Sequence, residues 1–210
     1  MRTFILCILA GTLMLSCRQH NNGTEKPILI DSAAFKEKNP YAEMDQSPMD
    51  MSYYPADFPI VRMNHQDTAG PILRTIYSRP HKKGRAIFGS DANSLCVYGK
   101  AWRLGANEAT EIEFFVPVTI AGKNFGAGKY VMYCYPYADH WTIVFNSNLY
   151  AWGLHIDSTK DIFRTDIPAM EQQPALEDFT IVFTKATYGA DMVMAWDNVK
   201  AQLPIEFMKR

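Results

Sequence analysis

Long hydrophobic runs are scarce in this chain. Past residue 16 none approaches the roughly 20 apolar residues that a membrane-spanning helix requires. An excess of either charge is also missing: 21 Lys and Arg stand against 22 Asp and Glu, a formal net charge of −1. There is accordingly no basic surplus for a nucleic-acid backbone, and no acidic tail. Histidine is sparse. None of the five pairs at i, i+2 or i, i+4, and His81, His140 and His155 are scattered, so no metal-ligand set is read. The chain lacks a Gly-x-Ser-x-Gly elbow, a phosphate-cradling glycine loop and a Cys-x-x-Cys pair. No motif therefore assigns a catalytic residue or a cofactor.

What the chain does have begins at its first residue. Met1-Arg2 is a short positive region, followed by an uncharged stretch to Leu15 and then Ser16-Cys17. That layout is a secretory signal, too short for a permanent span. The order Met14-Leu15-Ser16-Cys17 resembles the lipobox of bacterial lipoproteins. The resemblance implies cleavage after residue 16, with diacylglycerol on Cys17. The alternative is ordinary secretion with Cys17 left as a free thiol. Acyl chains contribute about 0.8 kcal/mol per buried CH₂, and more than one chain anchors a protein stably. The expectation is a cell-envelope protein held by lipid to the inner or outer membrane, its body facing the periplasm.

Four cysteines are present. Cys7 leaves with the leader and Cys17 is the anchor, so Cys96 and Cys134 remain. An oxidising compartment favours pairing them, and closing a loop of that length contributes about 3.5–4 kcal/mol in the entropy model. Both also sit in apolar strand-like runs, which suits two buried free thiols.

Residues 17–50 are polar and irregular, with Asn-Asn-Gly-Thr-Glu-Lys-Pro and later Lys-Glu-Lys-Asn-Pro. This reads as a lipidated flexible tether whose r.m.s. reach is roughly 30 Å, with a short helix over Ser32 to Lys38. From residue 51 to 210 the pattern changes to short apolar or alternating runs broken by Gly, Pro, Asn and Asp. Strands are expected near Ile72–Tyr77, Ile87–Phe88, Ala109–Ile120, Lys129–Tyr135, Trp141–Asn146, Gly153–Asp157, Phe179–Thr184, Asp191–Trp196 and Val199–Ile205. The runs from Thr110, Lys129 and Trp141 make an antiparallel meander. Ile112 and Phe114 face one way in it, Glu111 and Glu113 the other. Pro117 predicts an edge or a bulge. No strand leads into a helix long enough for a parallel crossover. The fold class is all-β: one antiparallel β-sandwich, or a flattened barrel.

Two blocks stand out, Arg74-Thr-Ile-Tyr-Ser-Arg79-Pro-His-Lys-Lys-Gly-Arg85 and Tyr98-Gly-Lys-Ala-Trp-Arg-Leu-Gly-Ala-Asn-Glu-Ala-Thr110. Together with Gly126-Ala-Gly-Lys-Tyr130, Trp141-Thr-Ile-Val-Phe-Asn146 and Met194-Ala-Trp196, they resemble domain-of-unknown-function family 2911. Members of that family look like secreted or lipid-anchored envelope proteins of Gram-negative bacteria. The resemblance covers about Ser47 to Phe207. It implies one exported domain and supplies no activity.

Function must then be read from the residues. Arg79, Arg85 and Arg103 each offer a guanidinium that grips a carboxylate or phosphate in bidentate fashion. Tyr77 and Trp102 offer aromatic walls, and Asn107, Glu108 and Thr110 offer polar contacts. If the blocks meet in space, they form a polar pocket with one aromatic side. The competing reading makes Gly105-Ala-Asn-Glu a tight loop, Trp102 core, and Glu108 the ion-pair partner of Arg103 or Arg85. Three functions follow. The first is a module binding a small polar ligand, a glycan or an envelope protein. The second is a glycan-directed hydrolase using Glu108 and a second carboxylate. The third is a structural envelope component.

Overall fold

Eleven strands and one short helix make up the domain in the computed structural model, which describes residues 47–64 and 70–208. Cys17, the leader, nearly all of the expected tether and the helix expected over Ser32 to Lys38 lie outside those residues. The elements are β1 (Met49–Tyr54), α1 (Phe58–Met63), β2 (Leu73–Ser78), β3 (Phe88–Gly89), β4 (Cys96–Val97), β5 (Thr110–Phe114), β6 (Val118–Ile120), β7 (Lys123–Phe125), β8 (Gly128–Pro136), β9 (His140–Asn146), β10 (Asp161–Ala186) and β11 (Gly189–Phe207). The strand order is β1-β2-β5-β8-β9-β10-β11-β6-β7, and β3 pairs β4 in a separate two-residue ladder.

The large sheet folds into two facing layers because two stretches of chain change partners midway. β10 pairs β9 as far as Pro168, then pairs β11 from Ala169 onward. The expected strand Ala109–Ile120 divides in the same way: β5 lies between β2 and β8, and β6 lies beside β11. Pro117, which has no N–H for a ladder, stands at that break. The layers meet through aromatic rings. Phe125 of β7 packs on Phe145 of β9 at 4.8 Å, and Phe179 of β10 packs edge-on against Tyr77 of β2 at 5.7 Å. β1 and β7 end the order without pairing to each other, so the sheet is a sandwich and not a closed barrel.

The meander is present as β5, β8 and β9, with the β6–β7 hairpin inserted between its first two members. Its facing is as expected: Ile112 and Phe114 are buried, Glu111 and Glu113 half-exposed. Val131 to Cys134 are buried without a break, as are Ile143 to Asn146, so these strands are covered on both faces. The outer cover comes from residues 147–157. Gly153–Asp157 was expected to be a strand but forms a turn, with the His155 N–H donating to the Trp152 carbonyl at 2.9 Å. A 3₁₀ turn, Ser158–Lys160, follows, and its Thr159 N–H donates to the Asp157 side chain.

Two further elements differ from expectation. β1 begins at Met49, so the last residues assigned to the tether already belong to the sheet, each paired across to β2. β10 runs far to the N-terminal side of Phe179. Its Pro168 and Pro174 hid that extension, since both fall where the strand changes partner or shifts register.

In the core, Trp102, Trp141, Trp196, Phe88 and Phe179 form one aromatic cluster. Trp102 stacks on Trp196 at 6.0 Å and meets Trp141 edge-on at 5.6 Å. Rings in these offset and edge-to-face arrangements contribute about 0.5–1.5 kcal/mol per pair beyond their area burial. Among the described residues no helix is long and apolar enough to cross a membrane.

Candidate functional site

The eight candidate ligand residues separate into four groups. Tyr77 and Arg79 belong to a clasp that holds β1, β2 and β10 together. Arg79 donates to the Asp50 carboxylate at 3.2 Å, to the Phe179 carbonyl at 3.2 Å and to the Thr180 hydroxyl at 3.1 Å. Tyr77 donates to the same carboxylate at 3.2 Å. Burial pushes the Tyr77 phenol up to about 12, against a lowering by a backbone hydrogen bond. A guanidinium engaged three ways inside the fold has a structural task, and neither residue reaches the cleft described next.

Arg85, Trp102 and Arg103 do come together. With Lys83 they line a cleft of about 310 Å³, whose apolar floor includes Cys96 and Trp196. Among the described residues no carboxylate side chain lines it. Two loops build it. In Lys82-Lys83-Gly84-Arg85 the chain reverses through two left-handed residues, Lys83 at φ 48° and Gly84 at φ 70°, closed by the Arg85 N–H on the Lys82 carbonyl at 3.1 Å. The Arg85 guanidinium is oriented by its own loop, donating from Nε to the Lys82 carbonyl at 3.0 Å and from Nη2 to the His81 carbonyl. Three charged contacts pin this loop to the long hairpin: His81 with Asp178, Lys82 with Asp197, and the Lys83 N–H with Glu177 at 2.7 Å.

The other loop, Arg103 to Asn107, also turns through left-handed backbone, at Leu104 (φ 52°) and Asn107 (φ 57°). Thr110 is fully buried and donates to the Leu104 carbonyl at 2.6 Å, while the Trp102 indole donates to the Gly105 carbonyl at 3.2 Å. Gly105 is required here, because a Cβ would lie 2.9 Å from the Ser78 carbonyl. Thr110 and Asn107 therefore shape the loop rather than line the cleft, and Trp102 serves both as core and as wall.

Glu108 falls outside the cleft. The chain has turned by then, and Glu108 pairs with Trp152 in an isolated antiparallel bridge. It lines a second cavity, of about 450 Å³, together with Glu111. Lys83 and Glu111 were not singled out as binding residues. The Lys-Lys-Gly-Arg turn was a local signal for the first. Glu111 stood in the sequence only as one of the carboxylates Glu108, Glu111 and Glu113 near a strand start, and its cavity needs residues 150–153 folded back beside it.

Cys96 and Cys134, the candidate disulfide, are both buried free thiols. Burial pushes the Cys96 thiol well up, and the positive charge of Arg103 offsets only part of that rise. Cys134 is likewise raised by burial. Neither supplies a thiolate nucleophile near neutral pH. Among the described residues no group of His, Cys, Asp and Glu is arranged to hold a metal ion.

No curated protein and no solved structure matches this chain. A family model does match, over residues 61–205, which takes in both loops of the cleft and every strand from β2 through most of β11. The chain belongs to the family described as protein of unknown function (DUF2911).

Proposed function

We propose that this protein is a lipid-anchored component of the bacterial envelope whose β-sandwich binds a small anionic molecule in the Lys83–Arg85–Arg103 cleft. The observation that carries the binding reading is the convergence of Lys83, Arg85 and Arg103 on one cleft with an aromatic wall. Guanidinium groups hold carboxylate or phosphate through paired N–H donors, and lysine adds a compact charge. The cleft's volume sits at the lower end of small-molecule pockets, and Trp102 and Trp196 give it an apolar side for a short carbon skeleton. A binding role fits the chemistry better than catalysis. The Cys96 sulfur in the cleft is held as a thiol by burial.

Export and anchoring rest on the charged start, the short apolar stretch and Met14-Leu15-Ser16-Cys17. Stable attachment without a spanning helix needs a multiply acylated cysteine. Growing expressing cells with a clickable fatty acid tests this. Label is expected on the wild-type chain and absent from Cys17→Ala, and an unlabelled wild-type chain would contradict the anchor.

For the cleft, calorimetric titration of the full chain with inorganic phosphate and with small mono- and dicarboxylates is the direct experiment. Saturable binding is expected for at least one of these anions. Lys83→Ala combined with Arg85→Ala should weaken it by ~10-fold or more, the loss of about 1.4 kcal/mol or greater. Both side chains are exposed and lie outside the core, so the melting temperature should stay close to that of wild type. Undiminished affinity in the double variant would refute this site.

A further inference from the structure

The cavity that holds Glu108 has the opposite electrostatic character to the cleft, and none of the residues that assign the cleft line it. It opens on the outer face of the first layer, where the alternation of β5 places Glu111 on the side away from buried Ile112. Its other side is the segment 150–153, which returns to lie against residues 107–109. The Ala109 N–H donates to the Ala151 carbonyl at 3.3 Å, and the Gly153 N–H to the Asn107 carbonyl at 3.1 Å. Gly153 permits that approach, since a Cβ there would meet Arg103 and lie 2.8 Å from the Asn107 carbonyl. The result sets Trp152 beside Glu108.

Tyr150 completes the wall in an unusual way. Its backbone is left-handed, at φ 60°, and its side chain is 80% exposed. A bulky residue in that conformation is rare and costs energy, and this one places a large ring at the cavity mouth. The ring already attracts a cation from this chain: Lys129 Nζ lies 5.9 Å from its centroid. Met49 and Ile76 give the cavity its apolar side. Two carboxylates thus share a space of about 450 Å³ with an indole and a phenol ring, and among the described residues no cationic side chain lines it.

We propose that this cavity binds an organic ammonium ion, a methylated or alkyl-substituted amine whose nitrogen is held by Glu108 and Glu111 against the rings of Trp152 and Tyr150. Two carboxylates lining one cavity attract an entering cation. The faces of Trp and Tyr attract the same positive charge through their quadrupoles, most strongly for quaternary ammonium groups. Methyl or alkyl substituents find apolar contact on Met49 and Ile76. A neutral ligand of the same shape gains the apolar contact alone.

The test is calorimetric titration of the full chain with choline and benzyltrimethylammonium, using 3,3-dimethylbutan-1-ol as the uncharged carbon isostere of choline. Saturable binding of an ammonium probe is expected, at least tenfold tighter than the isostere. It should weaken at least tenfold in Glu108→Gln with Glu111→Gln, weaken in Trp152→Ala, and stay unchanged in Lys83→Ala with Arg85→Ala. Glu108 is exposed, so the single Glu108→Gln variant, expected to keep the fold, reads the charge requirement if the double variant melts. The proposal is overturned if neither ammonium probe binds wild type, if the isostere binds equally well, or if the glutamine variants bind as wild type does. Release of reducing sugar from a glycan, lost in Glu108→Gln, would also overturn it and would make the cavity a hydrolase site.

Discussion

Arg103 and Glu108 are close neighbours in the chain and work in opposite electrostatic settings. The first lines a cleft with Lys83 and Arg85, the second a cavity with Glu111. The loop between them reverses through left-handed Leu104 and Asn107, with Gly105 pressed onto the Ser78 carbonyl and Thr110 fastening Leu104. One tight turn thereby sends the two side chains to different cavities. Residues five positions apart can line two cavities of opposite charge when a left-handed turn lies between them.

The largest way to break this arrangement is to remove its floor. Trp102→Ala deletes a side chain that packs on Trp141, Phe179 and Trp196 and also lines the cleft. Truncating a large core aromatic costs about 3–5 kcal/mol. Urea unfolding should show that loss, and anion binding should fall with it. Gly153→Ala is next. Its new methyl meets Asn107 and Arg103, and overpacking of this kind costs about 1–3 kcal/mol. It touches the loop shared by both sites, so it should weaken anion and ammonium binding together. Binding of one ligand left intact would separate the two sites' scaffolds.

Arg79→Ala sharpens the contrast between structural and binding arginines. It removes the contacts to Asp50, Phe179 and Thr180, for an expected loss of about 1–2 kcal/mol. It should leave anion affinity within about twofold of wild type, whereas Arg85→Ala should do the reverse. Equal effects of the two variants on affinity would erase the distinction.

The smallest predicted effect comes from Tyr77. Its folded-state phenol is raised to about 12, above an unfolded value near 10. The folded state therefore resists losing this proton. The resulting stability is fully present below about pH 10 and is lost as pH rises toward 12. Wild type should lose stability over that window more steeply than Tyr77→Phe, measured by denaturant midpoints. Parallel slopes would place the phenol in a water-like setting.

Much of the fold could be read from residue patterns, because alternation around Ile112 and Phe114 and the turns after them report directly on which face is buried. Arg85, Arg103 and Trp102 were recognisable as a cluster by their density in two blocks. Other features depended on long-range pairing that no local pattern carries. Arg79 looked like a binding residue until Asp50, read as tether, proved to lie in β1 across from Tyr77. The part of β10 before Phe179 escaped notice because Pro168 and Pro174, ordinarily strand breakers, occupy points where the strand changes partner or shifts register. The partnership of Glu111 with Trp152 and Tyr150 exists only once residues 150–153 fold back on 107–109.

Indole resonances offer the most direct check on the central claim that the two sites take ligands of opposite charge. Trp102 and Trp196 line the cationic cleft and Trp152 the acidic cavity. In a ¹H–¹⁵N spectrum of the full chain, a bound anion is predicted to shift the Trp102 and Trp196 indole signals and leave Trp152 in place. Indole signals unmoved at saturating anion, or a shift confined to Trp152, would contradict the account.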